Sequence, residues 1–417
     1  MNIKQRLIVM NFLEFFVWGS WLISLGGYMF TLPGDITTRG ALVGATYGTM
    51  GIASLFMPTI MGILSDRFIN AERVLGACHI IGAIILVWAS TITDANVLYF
   101  AILLNSFFFM PTIALNNTVS YSILTSRGIE VQKVFPPIRV WGTVGFIIAM
   151  WGVDLLDWTK SPNQFLFAAA AGFLMGIYSL TMPECKPARA TKGSSLINTL
   201  GLDAFVLFKQ SKMVIFFFFA MLLGAALQIT NAFGEAFLHD FEGSYAGTFA
   251  VEHPSLLISL SQISETLFIL TIPFFLKKFG IKTVMLMSIL AWVLRFGLFG
   301  LGNPSGGLVF LVMSMIVYGM AFDFFNISGS LFVEKESPMN IRASAQGLFM
   351  LMTNGIGAFL GGMLSGWVVD FFTSAEGVRN WQYIWFTFAA YGLFLAIIFP
   401  FMFKYKHEPD VLVEVKH

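Results

Sequence analysis

The chain has 417 residues, of which 57% are hydrophobic and 11% charged, with a formal net charge of +1. Soluble domains carry about 25% charge, so an ordinary water-facing enzyme is excluded, and the same apolar excess excludes disorder. No basic tract gathers the charge that gripping a phosphate backbone requires, which argues against nucleic-acid binding.

A hydrocarbon core about 30 Å thick takes roughly 20 apolar helical residues per crossing. In chain order such runs fall near 7–30, 41–64, 74–92, 97–124, 139–157, 164–182, 213–238, 254–276, 283–302, 308–332, 343–371 and 381–403. They predict an all-α integral membrane protein with twelve transmembrane helices, since β-barrel strands of about 10 residues give no runs this long. The first run follows Lys4 and Arg6 as a signal peptide would, but Asn11 and Glu14 interrupt it and no small-residue cleavage pattern follows. It is read as a retained span. The fifth run is the least apolar, with Arg139 at its start and Asp154 and Asp157 at its end.

Charge placement predicts the topology. With a cytoplasmic amino terminus, 20 of the 24 Lys and Arg residues fall at cytoplasmic ends and loops, three (Arg39, Lys160, Arg379) on the other side, and Arg295 within a span. That is a strong positive-inside bias, and it places both termini in the cytoplasm. The segment from Pro183 to Lys212 is the longest polar connection and separates six spans from six. The expected units are 1–182, a linker 183–212 with its run Ala190 to Ser195, and 213–417; Leu200 to Lys209 is expected as a short amphipathic surface helix. Basic turns recur at equivalent places in both halves, Gly62 to Arg67 with Arg73, and Phe275 to Gly280 with Lys282, as in a parallel internal repeat.

Carboxylates in mid-span are costly and usually functional. Glu14, Glu265 and Asp323 qualify. Burial penalises a charged carboxyl, so its protonation can follow conformation and bound substrate, which suits a proton-coupled carrier. The other reading is a permanent bridge to Arg139 or Arg295. Gln228 and Asn231 are i and i+3 on one face of the seventh span, as are Gln262 and Glu265 on the eighth. Such amides and carboxylates suit a ribose or a base edge. Tyr318, Phe322 and Asn326 recur at i, i+4 and i+8, an aromatic surface on which a base would stack. His79 is read as a packed histidine, and His239 and His253 as solvated. Gly357 to Gly361 and Gly362 to Gly366 read as close helix packing. Cys78 and Cys185 suggest neither a disulfide framework nor a zinc site. No nucleophile elbow, zinc motif or phosphate-cradling loop occurs, so neither an enzyme nor a cofactor is expected.

Gly62-Ile-Leu-Ser-Asp66-Arg67, between the second and third of twelve spans, resembles the signature loop of the major facilitator superfamily. That resemblance implies two six-helix bundles rocking about a central site, with Gly62, Asp66 and Arg67 as a cytoplasmic gate loop in which Asp66 bonds exposed amides or arginines. The superfamily default is a monomer. A closer resemblance covers nearly the whole chain. The stretches Trp18 to Trp21, Phe135 to Thr143, Gly201 to Phe205, Leu227 to Asn231, Gln262 to Thr266, Tyr318 to Asn326 and Arg342 to Gly347 resemble the bacterial nucleoside:proton symporter family. It implies proton-driven nucleoside uptake across an inner membrane. It also implies substrate contacts at Arg139, Thr143, Phe146, Gln228, Asn231, Gln262, Glu265, Tyr318 and Phe322. Asp323 leads as the proton-coupling group, with Glu265 and Glu14 beside it. A sugar or oligosaccharide:proton symporter is the alternative within the superfamily.

Overall fold

The computed structural model describes residues 2–187 and 202–405. Within them ten helices are individually long and apolar enough to cross a membrane. The two remaining crossings are broken helices. Span one runs as Ile3–Gly19 and Leu25–Thr31, interrupted at 20–24. Span eight starts at Pro254–Ile269 and finishes in the first part of Ile272–Leu301, which turns at Gly280 (φ 75°) before continuing as span nine. Only glycine adopts that backbone without strain, so the basic turn between spans eight and nine closes in very few residues.

The other spans are Arg39–Arg67 (two), Ala71–Ala89 (three), Ala95–Thr125 (four), Val131–Leu155 (five), Asn163–Leu180 (six), Ser211–His239 (seven), Leu308–Glu336 (ten) and Trp381–Met402 (twelve). Span eleven is Arg342–Met350, a π-helical stretch Leu351–Gly357, and Ala358–Phe371. Local chemistry sets several starts. Asn2 and Gln5 form a capping box, Asp94 accepts from the amides of Asn96 and Val97, and Pro254 opens span eight. Span five begins eight residues earlier than the apolar run, because Pro136 and Pro137 are carried inside its first turns. The expected surface helix is a 3-10 segment, Leu202–Lys209; its first residues and the run Ala190 to Ser195 lie outside the described residues.

The fold is all-α, two six-helix bundles with the Lys- and Arg-rich turns on one face, called here the basic face. The bundles meet in the half remote from it. Glycine allows the closest approaches. Cβ atoms added at Gly40, Gly44 and Gly51 of span two would strike the backbone at Gly366, Gly362 and Gly355 of span eleven. Beyond Ala53 the basic-side half of span two buries only Ser65. The two glycine registers of span eleven have different neighbours. Gly357 and Gly361 press against Met221 and Ala225 of span seven in the same bundle, whereas Gly362 and Gly366 face span two in the other.

Two carboxylates lock this seam, and they are related by the six-span repeat. Asp370, near the end of span eleven, accepts from the Gly40 and Ala41 amides at the start of span two (2.6 and 2.8 Å). Asp154, at the end of span five, accepts from the Ser255 and Leu256 amides at the start of span eight (2.8 and 3.2 Å). Each carboxylate thus meets the positive end of a helix from the opposite bundle.

Candidate central binding site

Below the seam, polar and aromatic side chains from both bundles remain partly accessible. From span five these are Arg139 and Thr143; from spans seven and eight they are Asn231, Gln262 and Glu265; from span ten they are Phe322 and Asn326. The early start of span five lifts Arg139 two turns into the helix, where its guanidinium stacks 3.9 Å above the Phe15 ring of span one. Arg139 is the cation whose field acts on Glu265, across the gap between the bundles. No ion pair within 4 Å joins Arg139 or Arg295 to a carboxylate among the described residues, so the permanent bridge is not formed. Arg295 instead donates to the Ser314 carbonyl (2.8 Å) and the Ser261 hydroxyl (3.3 Å) and lies 4.6 Å from the Tyr318 ring centre.

Tyr318 and Phe322 stand one helical turn apart with rings parallel to within 2° and centres 5.8 Å apart. Trp292 meets Tyr318 edge-on, fixing its plane. Tyr318 feels the charges of Glu265, Arg295 and Asp323 together, which puts one aromatic ring at the meeting point of the ionisable groups. Asp323 is buried, its Oδ2 has no hydrogen-bond partner among the described residues, and the charge that acts on it is the carboxylate of Glu265. Gln262 likewise has a buried amide oxygen without a partner. Unsatisfied buried polar atoms are rare in folded proteins, and a cluster of them beside an accessible space is what a ligand or a proton completes.

The remaining expected residues lie further out. Gln228 is buried and donates to the Tyr47 carbonyl across the seam at 3.0 Å, so it ties the bundles together as well as bordering the site. Phe146 is buried edge-on to Trp18. Glu14 lies beside the site, and its charge reaches Arg139 together with that of Glu265. It is enclosed within its own bundle, its Oε2 bonded to His79 Nε2 at 2.8 Å and its Oε1 accepting from the Thr112 hydroxyl at 2.6 Å. Gly62, Asp66 and Arg67 end span two at the basic face, with Asp66 exposed. Six residues beyond Asp66, the Glu72 carboxylate accepts from the Cys185 amide at 2.8 Å.

A family of nucleoside H+ symporters matches residues 1–408. The chain belongs to this nucleoside:proton symporter family. It is 54% identical to the xanthosine permease of Escherichia coli (strain K12), covering 100% of this chain and 99% of that one. It is 52% identical to nucleoside permease NupG of the same organism, covering 98% and 97%. A crystal structure of nucleoside transporter NupG superposes with a TM-score of 0.90, covering 97% of this chain and 100% of that chain. A peptide transporter of the POT type, 16% identical with a TM-score of 0.72, shares the fold. The chain is a multi-pass secondary transporter that couples nucleoside import to protons, and the sugar-symporter alternative is not favoured.

Several groups of this symporter escape a reading of the sequence. Asn354, in the π-helical stretch of span eleven, is exposed and lines a small pocket with Phe322, Asn326 and Trp292; π segments within α-helices often mark functional positions. His79 is the partner of Glu14. His239 is not solvated as expected but packed at the seam beside Gly27, whereas His253 keeps 35% of its side chain exposed while bonded to Asp154 at 2.7 Å. Glu235, also at the seam, is almost wholly buried. Its position four residues from the end of span seven concealed it among residues near water.

Proposed function

We propose that the symporter carries nucleosides into a bacterial cell across the inner membrane, with the basic face and both termini in the cytoplasm and the seam facing outside. The conformation is then inward-facing, closed at the seam. The base stacks against the Tyr318 and Phe322 rings, an interaction worth about 1–3 kcal/mol per base in nucleic-acid complexes. Gln262, Asn231, Thr143 and Arg139 supply donors and acceptors around the nucleoside, and Glu265 accepts from ribose hydroxyls. Phe146 and Gln228 shape the upper wall. Asp323 carries the coupled proton, with Glu265 sharing the charge. The carrying observation is the Glu265 and Asp323 pair: a partly accessible carboxylate whose field reaches a buried one, with neither in an ion pair among the described residues.

On this reading residues 1–182 and 213–417 move as bundles about the linker 183–212, and the Gly62, Asp66 and Arg67 loop closes the cytoplasmic side when the seam opens. The protein works as a monomer and without a cofactor. Nucleoside and proton tip the equilibrium only because they bind the two orientations unequally. The test is uptake into proteoliposomes of a panel including xanthosine, uridine and adenosine, with and without an imposed pH gradient. Accumulation of at least one nucleoside against its gradient, abolished by a protonophore, is expected. Uptake that only equilibrates, whatever the pH gradient, overturns proton coupling through this site.

A further inference from the structure

Glu235 of span seven lies at the seam, 1% exposed, well above the central carboxylates. Its Oε1 accepts a short bond from the Ser255 hydroxyl at 2.5 Å. Its Oε2 has no partner among the described residues. The nearest base is His239, one turn along the same helix, with Nε2 3.9 Å from Oε1 and itself without a hydrogen bond. The elements packed around it bring little neutralising charge. Span one faces it with Gly27, and span two with the Tyr47 phenol. Span five and its loop bring Asp154, a second acid, and Lys160, whose ammonium is taken by Glu242. Span eight brings His253, already bonded to Asp154.

An ionised carboxylate removed from water with a single hydroxyl donor is costly. It can be avoided if the Glu235 and His239 pair holds one proton, on either residue, whenever the seam is shut. Once the seam parts, water reaches Glu235 and the carboxylate ionises freely. We propose that Glu235 with His239 is a second proton-binding site, distinct from Glu265 and Asp323, which takes a proton from the outer side as the seam closes. It makes closure of the outer gate favourable in acid and unfavourable in alkali, independent of the substrate. The proposal rests on the orientation given above, in which the seam faces outside.

The experiment uses the full chain in nanodiscs with spin labels on Asn96→Cys and Ala375→Cys, exposed positions at the outer ends of the two bundles. Asp323→Asn and Glu265→Gln are built in, so that central titration contributes nothing. The ratio of open to closed distances should rise with pH, by at most about tenfold per unit for one linked proton. Adding Glu235→Gln should flatten that dependence, and Glu235→Asp should restore it. The same slope with and without Glu235→Gln overturns the proposal. Should Glu235→Gln fail to fold, infrared difference spectra of the labelled parent decide: closure must gain either a protonated-carboxyl carbonyl band or imidazolium bands, and the absence of both overturns the proposal. Failure of the central coupling reading shows separately, as retained uphill uptake by Asp323→Asn in proteoliposomes.

Discussion

Glu14 and Asp323 are both buried acids within membrane spans, one in each bundle, and they are in opposite states. Glu14 is 0% exposed and both of its oxygens are engaged, by His79 and Thr112 from spans three and four of its own bundle. Asp323 is 4% exposed, one oxygen has no partner, and the charge that reaches it belongs to another acid. Depth in the membrane therefore does not identify a working carboxylate. An acid bonded at both oxygens within one bundle ties its helices together; an unsatisfied one leaves a place for a proton or a ligand.

The largest effect expected from this contrast is in Asp323→Asn. Coupling is lost, and steady-state nucleoside accumulation in energised vesicles falls to the external concentration; preserved uphill accumulation with unchanged proton flux would remove Asp323 from the coupling step. Next comes His79→Ala, which strips a buried acid of its basic partner at a cost of about 3 kcal/mol or more. Thermal unfolding of the purified protein should shift sharply downward, while the folded fraction still accumulates nucleoside. If instead stability is untouched and accumulation vanishes, Glu14 belongs with Asp323 and the contrast collapses. The smallest is Gln262→Ala, whose partnerless amide oxygen awaits a ligand. Losing one such bond is worth about 1.4 kcal/mol, or roughly tenfold in affinity. Calorimetric titration of nucleoside into a variant of normal thermal stability measures it, and equal affinity would take Gln262 out of the site.

Much of this was legible in the residues. Scarce charge and long apolar runs are enough for twelve crossings, and basic turns half a chain apart show the repeat. Hydropathy does not register backbone breaks, so the interruption of span one at 20–24 and the continuation of span eight to Gly280 were not visible. The acids Glu14, Glu265 and Asp323 stood out by depth, yet their difference lies in partners contributed by other helices, which spacing along one helix does not contain. His79 and Thr112 reach Glu14 from 65 and 98 residues away. Glu235 was lost for the converse reason: near a helix end by sequence, it is sealed by a neighbouring bundle. The span-eleven glycines were recognised as packing faces, but only the structure separates the face that stays within a bundle from the face that crosses between them.

The paired clasps at Asp370 and Asp154 have an energetic consequence for turnover. Each joins a carboxylate to the amides of a helix start, and a net intramolecular bond to a charged group is worth about 1.5–3 kcal/mol. Parting the seam exchanges these bonds for hydration rather than destroying them. A further bond, to His253 at 2.7 Å, is made by Asp154 and has no counterpart at Asp370 among the described residues. A gate fastened this way is tight in geometry, and opening it costs only the difference between these bonds and the hydration that replaces them.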